Sequence, residues 1–318
     1  MTPVLSLVIP CRNATSTLPR ILDSVMAQSL RSLEVILVDD ASDVAPCAPV
    51  AEAYRNKGLD ITLVVSQERL YTKNARLLGV EHAKGDIIHF ADADDVLWGT
   101  DNLERNVSLF KKTGVDLLQF RCVQLDEDGR FVGVNHNTPL AKRLYGNDIF
   151  LAYLKGSLFG IWAHLYSRRV WQELMPFVRP FPVWHQLEDL CLLLFYYSRA
   201  NSYAGSDCIG YGYIRDASHH RSPIATVGKT IGYHSIFTHF PIFLREQGKE
   251  EDVIQELIER LRKALRVHAG RASQAWAASP NSLNLLNETE IESLLLAVAD
   301  SLAENGRKLR SIHHLIFS

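Results

Sequence analysis

In the first half of the chain, apolar runs rich in β-branched residues alternate with segments of helical spacing, and this alternation restricts the fold more than any other feature. The first four runs are LSLVIP, EVILVDD, DITLVV and DIIHFA, and a longer one, VDLLQFRCVQL, follows them. Strands that are apolar on both faces and separated by helices form a parallel sheet with helices packed on each side. The sequence therefore predicts an α/β domain whose central sheet is mostly parallel.

The second half of the chain is less regular and ends in helical patterns. The spacing predicts a helix over NDIFLAYL, a strand over GIWAHLYS, a helix over EDLCLLLFYYSRA and strands over SYAGSDCIGYGYIR. After about residue 223 the pattern is helical, with an apolar stripe formed by Leu257, Ile258, Leu261, Ala264 and Leu265. We expect one domain over residues 1–222 and a helical C-terminal region over residues 223–318.

Composition narrows the class of protein. A net charge of −2 over 318 residues gives no basic excess of the kind that binds nucleic acid, so no nucleic-acid partner is expected. The five cysteines include no C-x-x-C pair, which favours free thiols in a reducing compartment. Neither a run of about eighteen apolar residues nor a secretory leader is present, which predicts a cytoplasmic protein.

Acidic residues gather where the predicted strands end. Asp39 and Asp40 close the second strand, while Asp92, Asp94 and Asp95 close the fourth. Carboxylates this close raise each other's pKa unless a cation lies between them. Two interpretations remain open: a solvated turn, in which aspartate is common, or a site for Mg²⁺ or Mn²⁺, which prefer carboxylate and phosphate oxygens.

Two large nucleotide-binding classes lack their signatures in this sequence. The turn after the first strand reads PCRN, without the G-x-G-x-x-G that a dinucleotide site needs for close approach to the pyrophosphate. The phosphate-binding G-x-x-x-x-G-K-[ST] is also absent. The sequence therefore disfavours nicotinamide enzymes and P-loop nucleotide hydrolases.

Taken in order, LSLVIPCRN, EVILVDDAS, the A-R-x-x-G of Ala75, Arg76 and Gly79, GDIIHFADADD and EDL resemble the family 2 glycosyltransferases of GT-A fold. The resemblance covers roughly residues 4 to 222. It implies a GT-A fold, Rossmann-like with a mostly parallel central sheet, and a C-terminal helical subdomain. It also implies a nucleotide-sugar half over about residues 1–125 and an acceptor half over about residues 126–222.

The resemblance assigns the nucleotide to residues at the first strand ends. Asp40 would accept a hydrogen bond from the base, and Asp39 would share that role or cap its own loop, while turn capping is the alternative for either residue. Pro10 and Arg12 would contact the nucleotide from the first strand, where relatives often carry an aromatic residue in place of Arg12. A guanidinium plane can also stack on a base. Arg76 would face the phosphates or the acidic turn, the alternative being a surface ion pair.

The metal and the catalytic base are likewise implied by the resemblance. Asp92, Ala93 and Asp94 match the D-x-D motif, in which the second aspartate ligates Mn²⁺ or Mg²⁺, and His219 is a further candidate ligand. Asp189 would take the proton of the acceptor hydroxyl, with Glu188 orienting it. The alternative for both acids is a helix N-terminus, where negative charge is favourable.

The expected function is that of a metal-dependent inverting hexosyltransferase in surface polysaccharide synthesis. The donor would be a nucleotide sugar, with a UDP-sugar favoured, and the acceptor a saccharide or lipid-linked saccharide at the inner face of the membrane. A nucleotidyltransferase is disfavoured because PCRN is not a glycine-rich basic loop, and a catalytically silent scaffold is the remaining alternative. The C-terminal helices are compatible with a homodimer or with peripheral membrane contact.

Overall fold

The structure is a computed structural model that describes residues 2–134, 138–140, 142–156, 160–182, 187–215 and 223–278. Within these residues the strands are β1 (Leu5–Cys11), β2 (Leu33–Asp40), β3 (Ile61–Ser66), β4 (Ile87–Phe90), β5 (Val96–Leu97), β6 (Leu117–Leu125), β7 (Phe131–Val134), β8 (Arg143–Tyr145), β9 (His164–Ser167) and β10 (Ser202–Ile214). The helices are α1 (Leu18–Met26), α2 (Ala48–Asn56), α3 (Tyr71–His82), α4 (Asn102–Thr113), α5 (Asn147–Lys155), α6 (Arg168–Val178), α7 (Glu188–Arg199), α8 (Pro223–Glu246) and α9 (Glu251–Ala278), with a 3-10 turn at Ile161–Ala163.

The described strands form one mixed sheet in the order β3-β2-β1-β4-β9-β6-β10-β5, with β7 beside β6 and β8 beside β10. The four strands β3, β2, β1 and β4 are parallel, as are β6 and β10. The strand β9 lies antiparallel between β4 and β6. The predicted α/β class with a mostly parallel central sheet is confirmed.

Helix α3 packs against the sheet at unusually short range. A Cβ atom built on Gly79 would lie 2.3 Å from Cγ1 of Val8 in β1, so only glycine allows this approach. At the opposite end of the same strands, the buried carboxylate of Glu34 accepts hydrogen bonds from the Ser6 hydroxyl and from the backbone N–H groups of Lys84 and Gly85. These contacts fix the position of α3 and β4 relative to β1 and β2.

The chain divides into two compact units. The first comprises Met1–Pro180 and Leu192–Arg215, and the second comprises Phe181–Cys191 and Asp216–Ser318, so α7 begins in the second unit and continues into the first. The domain boundaries expected from the sequence stay a prediction.

Helices α8 and α9 belong to the second unit. The apolar stripe predicted from residue 257 onward is buried at Leu257, Leu261 and Leu265. In the described part of the chain, none of the helices combines the length and the apolar character needed to cross a bilayer.

Two histidines are buried in the first unit and act as neutral core residues. His89 Nε2 lies 2.9 Å from the Trp162 carbonyl oxygen, and His164 Nε2 lies 2.8 Å from the Tyr197 hydroxyl. Burial lowers the pKa of His89 to about 4 and that of His164 to about 3, because the charged imidazolium would lose its hydration. Both side chains therefore remain uncharged in the folded protein at neutral pH.

Acidification should destabilise the fold through these two histidines. Below pH 6.5 the two histidines become protonated in the unfolded chain but stay neutral in the folded core. The free energy of unfolding therefore decreases as the pH falls from 7 toward 4. From the two pKa values, each histidine removes roughly 2 kcal/mol of unfolding free energy between pH 7 and pH 5. Urea unfolding at four pH values measures this slope, which should be shallower in His89→Gln and unchanged in the control His82→Gln, where the histidine is exposed. Equal slopes in all three proteins would contradict the assignment.

Candidate active site

The carboxyl ends of β1, β2 and β4 bring the acidic residues and the PCRN segment to one edge of the sheet. Cys11 lies beside Asp39 in the parallel register of β1 and β2, and β4 pairs with β1 on the other side. In an open α/β sheet this edge is where ligands bind. The structure thus brings together the nucleotide-site and D-x-D residues predicted from the three strand ends.

The carboxylate of Asp39 binds backbone groups of its own loop. Its side chain is buried, Oδ1 accepts a hydrogen bond from the Ser42 N–H at 3.0 Å, and Oδ2 accepts one from the Cys47 N–H at 2.9 Å. Both carboxylate oxygens are therefore used to hold the segment between β2 and α2. Of the two roles considered for Asp39, this geometry supplies the loop cap.

Asn13 holds the same loop from the side of β1. Its Oδ1 accepts hydrogen bonds from the N–H groups of three consecutive residues, 43 to 45, at 3.1–3.2 Å, and its Nδ2 donates to Asp43 Oδ1 at 2.7 Å. Arg12 forms an ion pair with the same residue, with Nη2 3.2 Å from Asp43 Oδ2. The loops after β1 and β2 are consequently tied into one unit, with the half-buried Pro10 at its base.

Two thiols lie beneath this unit, a proximity that the wide sequence spacing of Cys11 and Cys47 did not predict. Their sulfur atoms are 2.8 Å apart and both side chains are buried. The hydrogen bond to Cys47 and the burial raise the pKa of the Cys11 thiol, which therefore stays protonated. The two residues are therefore buried as reduced thiols at the carboxyl edge of the sheet.

Asp40 faces the start of α3. Its Oδ1 accepts a hydrogen bond from the Leu70 N–H at 2.5 Å, and the side chain is 5% exposed. This contact joins the end of β2 to the segment between β3 and α3. It places the residue predicted to read the base directly beside residues 69–71.

The three carboxylates after β4 lie in three different environments. Asp92 is half-buried, and its Oδ1 lies 2.7 Å from Nη2 of Arg76, whose side chain is only 2% exposed. Asp94 is exposed. Asp95 is buried, with Oδ2 accepting from the Tyr211 hydroxyl at 2.8 Å and Oδ1 from the Ile214 N–H at 2.7 Å. Burial, followed by the charges of Asp92 and Asp94, raises the pKa of Asp95.

Arg76 is thus a buried partner of the acidic turn, and the alternative of a surface ion pair does not describe it. Asp95 is held by strand β10, whereas Asp92 is half-buried and Asp94 is exposed. Among the described residues, no three His, Cys, Asp or Glu side chains gather into a metal cage. Mg²⁺ and Mn²⁺ fit such a site nonetheless, because one or two carboxylates and substrate phosphates complete their shell.

Tyr211 connects the acidic turn to β10, a role that was not predicted from the sequence. Its hydroxyl donates to Asp95 and accepts a hydrogen bond from the Asp92 N–H at 2.9 Å. Its ring stacks on Trp162 at a centroid distance of 5.0 Å, and Tyr213 stacks on the same indole at 5.4 Å. Burial and the nearby aspartates raise the pKa of Tyr213 to about 12, so its hydroxyl remains protonated beside the acids.

Glu188 and Asp189 occupy the first turn of α7, where both side chains are half-buried. They belong to the second compact unit. His219, the further candidate metal ligand, lies outside the described residues, as do Trp184, His185 and His220.

The profile of "Glycosyl transferase family 2" matches residues 6–175. An amylovoran biosynthesis glycosyltransferase of Erwinia amylovora is 35% identical over 142 residues, covering 43% of this chain and 47% of the relative. A UDP-Glc:α-D-GlcNAc-diphosphoundecaprenol β-1,3-glucosyltransferase of Escherichia coli is 25% identical over 139 residues, covering 44% and 50%. The chain thus aligns with about half the length of these curated relatives.

Solved structures share the fold at low sequence identity. S. aureus TarS 1-349 in complex with UDP-GlcNAc superposes with a TM-score of 0.59 at 18% identity, covering 93% of this chain and 80% of that one. The mannosyltransferase PcManGT of Pyrobaculum calidifontis, in complex with GDP-Man and Mn²⁺, gives 0.55 at 16% identity, covering 95% and 88%. The predicted GT-A fold is confirmed by these likenesses.

Removing the Tyr211 hydroxyl should loosen the acidic turn selectively. Tyr203 provides a matched control on the same strand: it is equally buried, and its hydroxyl also donates to a side chain, Gln119, and accepts from a backbone N–H, that of Leu140. Tyr211→Phe and Tyr203→Phe should each lose about 1–3 kcal/mol of stability through the unsatisfied N–H group. Only Tyr211→Phe should speed hydrogen–deuterium exchange in a peptide covering residues 91–97. Equal exchange there in both variants would show that Tyr211 does not hold the turn.

Proposed function

This chain belongs to glycosyl transferase family 2, and on that premise we propose that it moves a sugar from a nucleoside diphosphate donor to a glycan or lipid-linked glycan acceptor, with inversion at the anomeric carbon. The observation that carries the proposal is the acidic turn after β4, where buried Arg76 holds Asp92 and leaves Asp94 exposed at the ligand-binding edge. Such an edge offers two carboxylates through which a divalent ion could be held against a diphosphate.

A UDP-sugar is the favoured donor. The E. coli relative is named for a UDP-glucose donor, and the S. aureus structure contains UDP-GlcNAc. The P. calidifontis structure contains GDP-mannose, so both bases occur on this fold. The relatives named for amylovoran biosynthesis and for a diphosphoundecaprenol-linked acceptor support a role in the synthesis of a polysaccharide or lipid-linked glycan.

Asp92 and Asp94 are the residues that would hold Mn²⁺ or Mg²⁺. Bound there, a divalent ion would neutralise the negative charge that develops on the departing diphosphate. The chain's own contribution is to orient Asp92 through Arg76 and to keep the turn in place through Asp95 and Tyr211. The Asp40 carboxylate accepts a hydrogen bond from the base, and Ala93, Pro10 and Arg12 line the nucleotide.

The transfer itself requires a base for the acceptor hydroxyl. Asp189 accepts that proton as the acceptor oxygen forms its bond to the anomeric carbon, while the bond from that carbon to the nucleoside diphosphate breaks. Glu188 orients Asp189 in the first turn of α7. The support for this assignment is the resemblance of EDL to the family motif, together with the half-buried position of both acids at the start of an otherwise apolar helix.

Asp94→Ala should abolish metal-dependent donor binding. Melting of the wild-type protein with Mn²⁺ and each of UDP, GDP, CDP and dTDP should give an upward shift with one of them. A ligand at a hundred times its dissociation constant adds about 2.7 kcal/mol. The shift should vanish in Asp94→Ala and persist in Asp60→Ala, which removes an exposed aspartate that precedes β3 at the opposite end of the sheet. No shift with any nucleotide in the wild type would favour the silent scaffold.

Asp189→Asn should stop turnover without affecting donor binding. Hydrolysis of the donor, with water as the acceptor, should fall by roughly 100-fold or more, since positioned general bases contribute factors of that order. The nucleotide-induced melting shift should stay at the wild-type value. The matched control is Asp148→Asn, which also removes an acid from the first turn of a helix, α5.

If the two asparagine variants behave alike, Asp189 is only a favourable helix N-terminal charge. In that case the family assignment would stand and the base would have to be sought elsewhere.

A further inference from the structure

Among the described residues, three other than glycine adopt a positive φ angle, and all three stand at the carboxyl edge of the sheet. They are Asn13, Ala41 and Tyr71, with φ angles of 52°, 52° and 58°. Asn13 follows β1, Ala41 follows β2, and Tyr71 begins α3 just after β3. Strained backbone that clusters at one edge points to function there, because strain persists only where the surroundings enforce it.

Tyr71 is the most costly of the three. Asparagine tolerates the left-handed region through local hydrogen bonds, whereas a bulky aromatic residue is a true outlier in it. The turn is enforced from outside: the preceding residue, Leu70, donates its N–H to Asp40 Oδ1. Tyr71 therefore directly follows the residue whose backbone binds the carboxylate that is proposed to bind the base.

Core packing does not account for this tyrosine. Its side chain is 46% exposed, and the guanidinium of Arg69 lies 4.7 Å from the ring centroid. A buried ring could offset backbone strain through apolar burial, but this ring remains at the surface. A rigid aromatic face held beside a hydrogen-bonding carboxylate is the combination that binds a nucleobase, which stacks on the ring and bonds through its edge.

We propose that the ring of Tyr71, held by the strained turn, is the platform on which the base of the donor nucleotide stacks. This inference rests on the proposed function and deepens it, because it adds a residue that discriminates nucleotides from base-free diphosphates. The Arg69 guanidinium lies over one face of this ring, so the base stacks on the other face. Asp40 and Tyr71 together then read the edge and the face of the base.

The test compares a ligand that has a base with one that has none. Calorimetric titration with UDP and with inorganic pyrophosphate, each in the presence of Mn²⁺, would be made on the wild type, Tyr71→Asn and Tyr71→Phe. Asparagine removes the ring and adopts the left-handed turn with less strain, whereas phenylalanine keeps the ring. The remote control is Tyr145→Asn, an exposed tyrosine in β8.

Tyr71→Asn should bind UDP at least tenfold more weakly, bind pyrophosphate within twofold of the wild type, and unfold at a higher temperature than the ligand-free wild type. Tyr71→Phe and Tyr145→Asn should bind both ligands as the wild type does. A gain in stability together with a loss of affinity for UDP alone is a signature that a merely structural tyrosine would not give.

Two results would overturn the inference while leaving the proposed function in place. One is wild-type affinity for UDP in Tyr71→Asn, and the other is an equal loss of UDP and pyrophosphate, which would mean that the turn had collapsed. By contrast, a wild-type protein that bound none of UDP, GDP, CDP and dTDP would remove the proposed function and the inference with it.

Discussion

Three carboxylates lie close together at the end of β4, and their mutual repulsion must be offset for the turn to fold. Most of the described site consists of the groups that offset this repulsion. Helix α3 supplies the buried guanidinium of Arg76 to Asp92. Strand β10 supplies a hydroxyl and a backbone N–H to Asp95, whose pKa is raised by burial and by its neighbours. Asp94 alone remains exposed to solvent. The turn therefore holds its charge in a fixed geometry before any ligand arrives, which is the condition for a preorganised site.

The loops after β1 and β2, at the same edge, are stiffened by hydrogen bonds from backbone N–H groups to side chains. Asp39 and Asn13 together bind five backbone N–H groups of the segment between β2 and α2, and Asp40 binds one at the start of α3. These contacts enforce left-handed backbone at Ala41 and Tyr71, which free chains avoid. Rigid loops on a rigid sheet can hold a nucleotide without paying the entropy of ordering at the moment of binding.

The family profile ends at residue 175, yet part of the turn's support comes from beyond it. Tyr211 and Ile214, the partners of Asp95, lie in β10, and the acids Glu188 and Asp189 open α7. The motif at residues 92–95 thus depends on a strand more than a hundred residues later in the chain.

The sequence by itself determined the α/β class, the strands through β4 and the acids at the strand ends, because periodicity and strand-end position are local properties. It did not predict β5, β8 or α6. The first two span two and three residues, too few to show a period, and α6 carries Pro176 near its end, a residue that usually marks a helix boundary.

Only the tertiary structure decided the environment of each acid after β4. Asp92, Asp94 and Asp95 are equivalent by composition, and they differ because Arg76 and Tyr211 reach them from distant segments. The same holds for Tyr71, whose strained turn is held by a hydrogen bond between Leu70 and Asp40, thirty residues apart in sequence. Side-chain type can be read from the chain, but pairing between segments is set by how the sheet and helices pack.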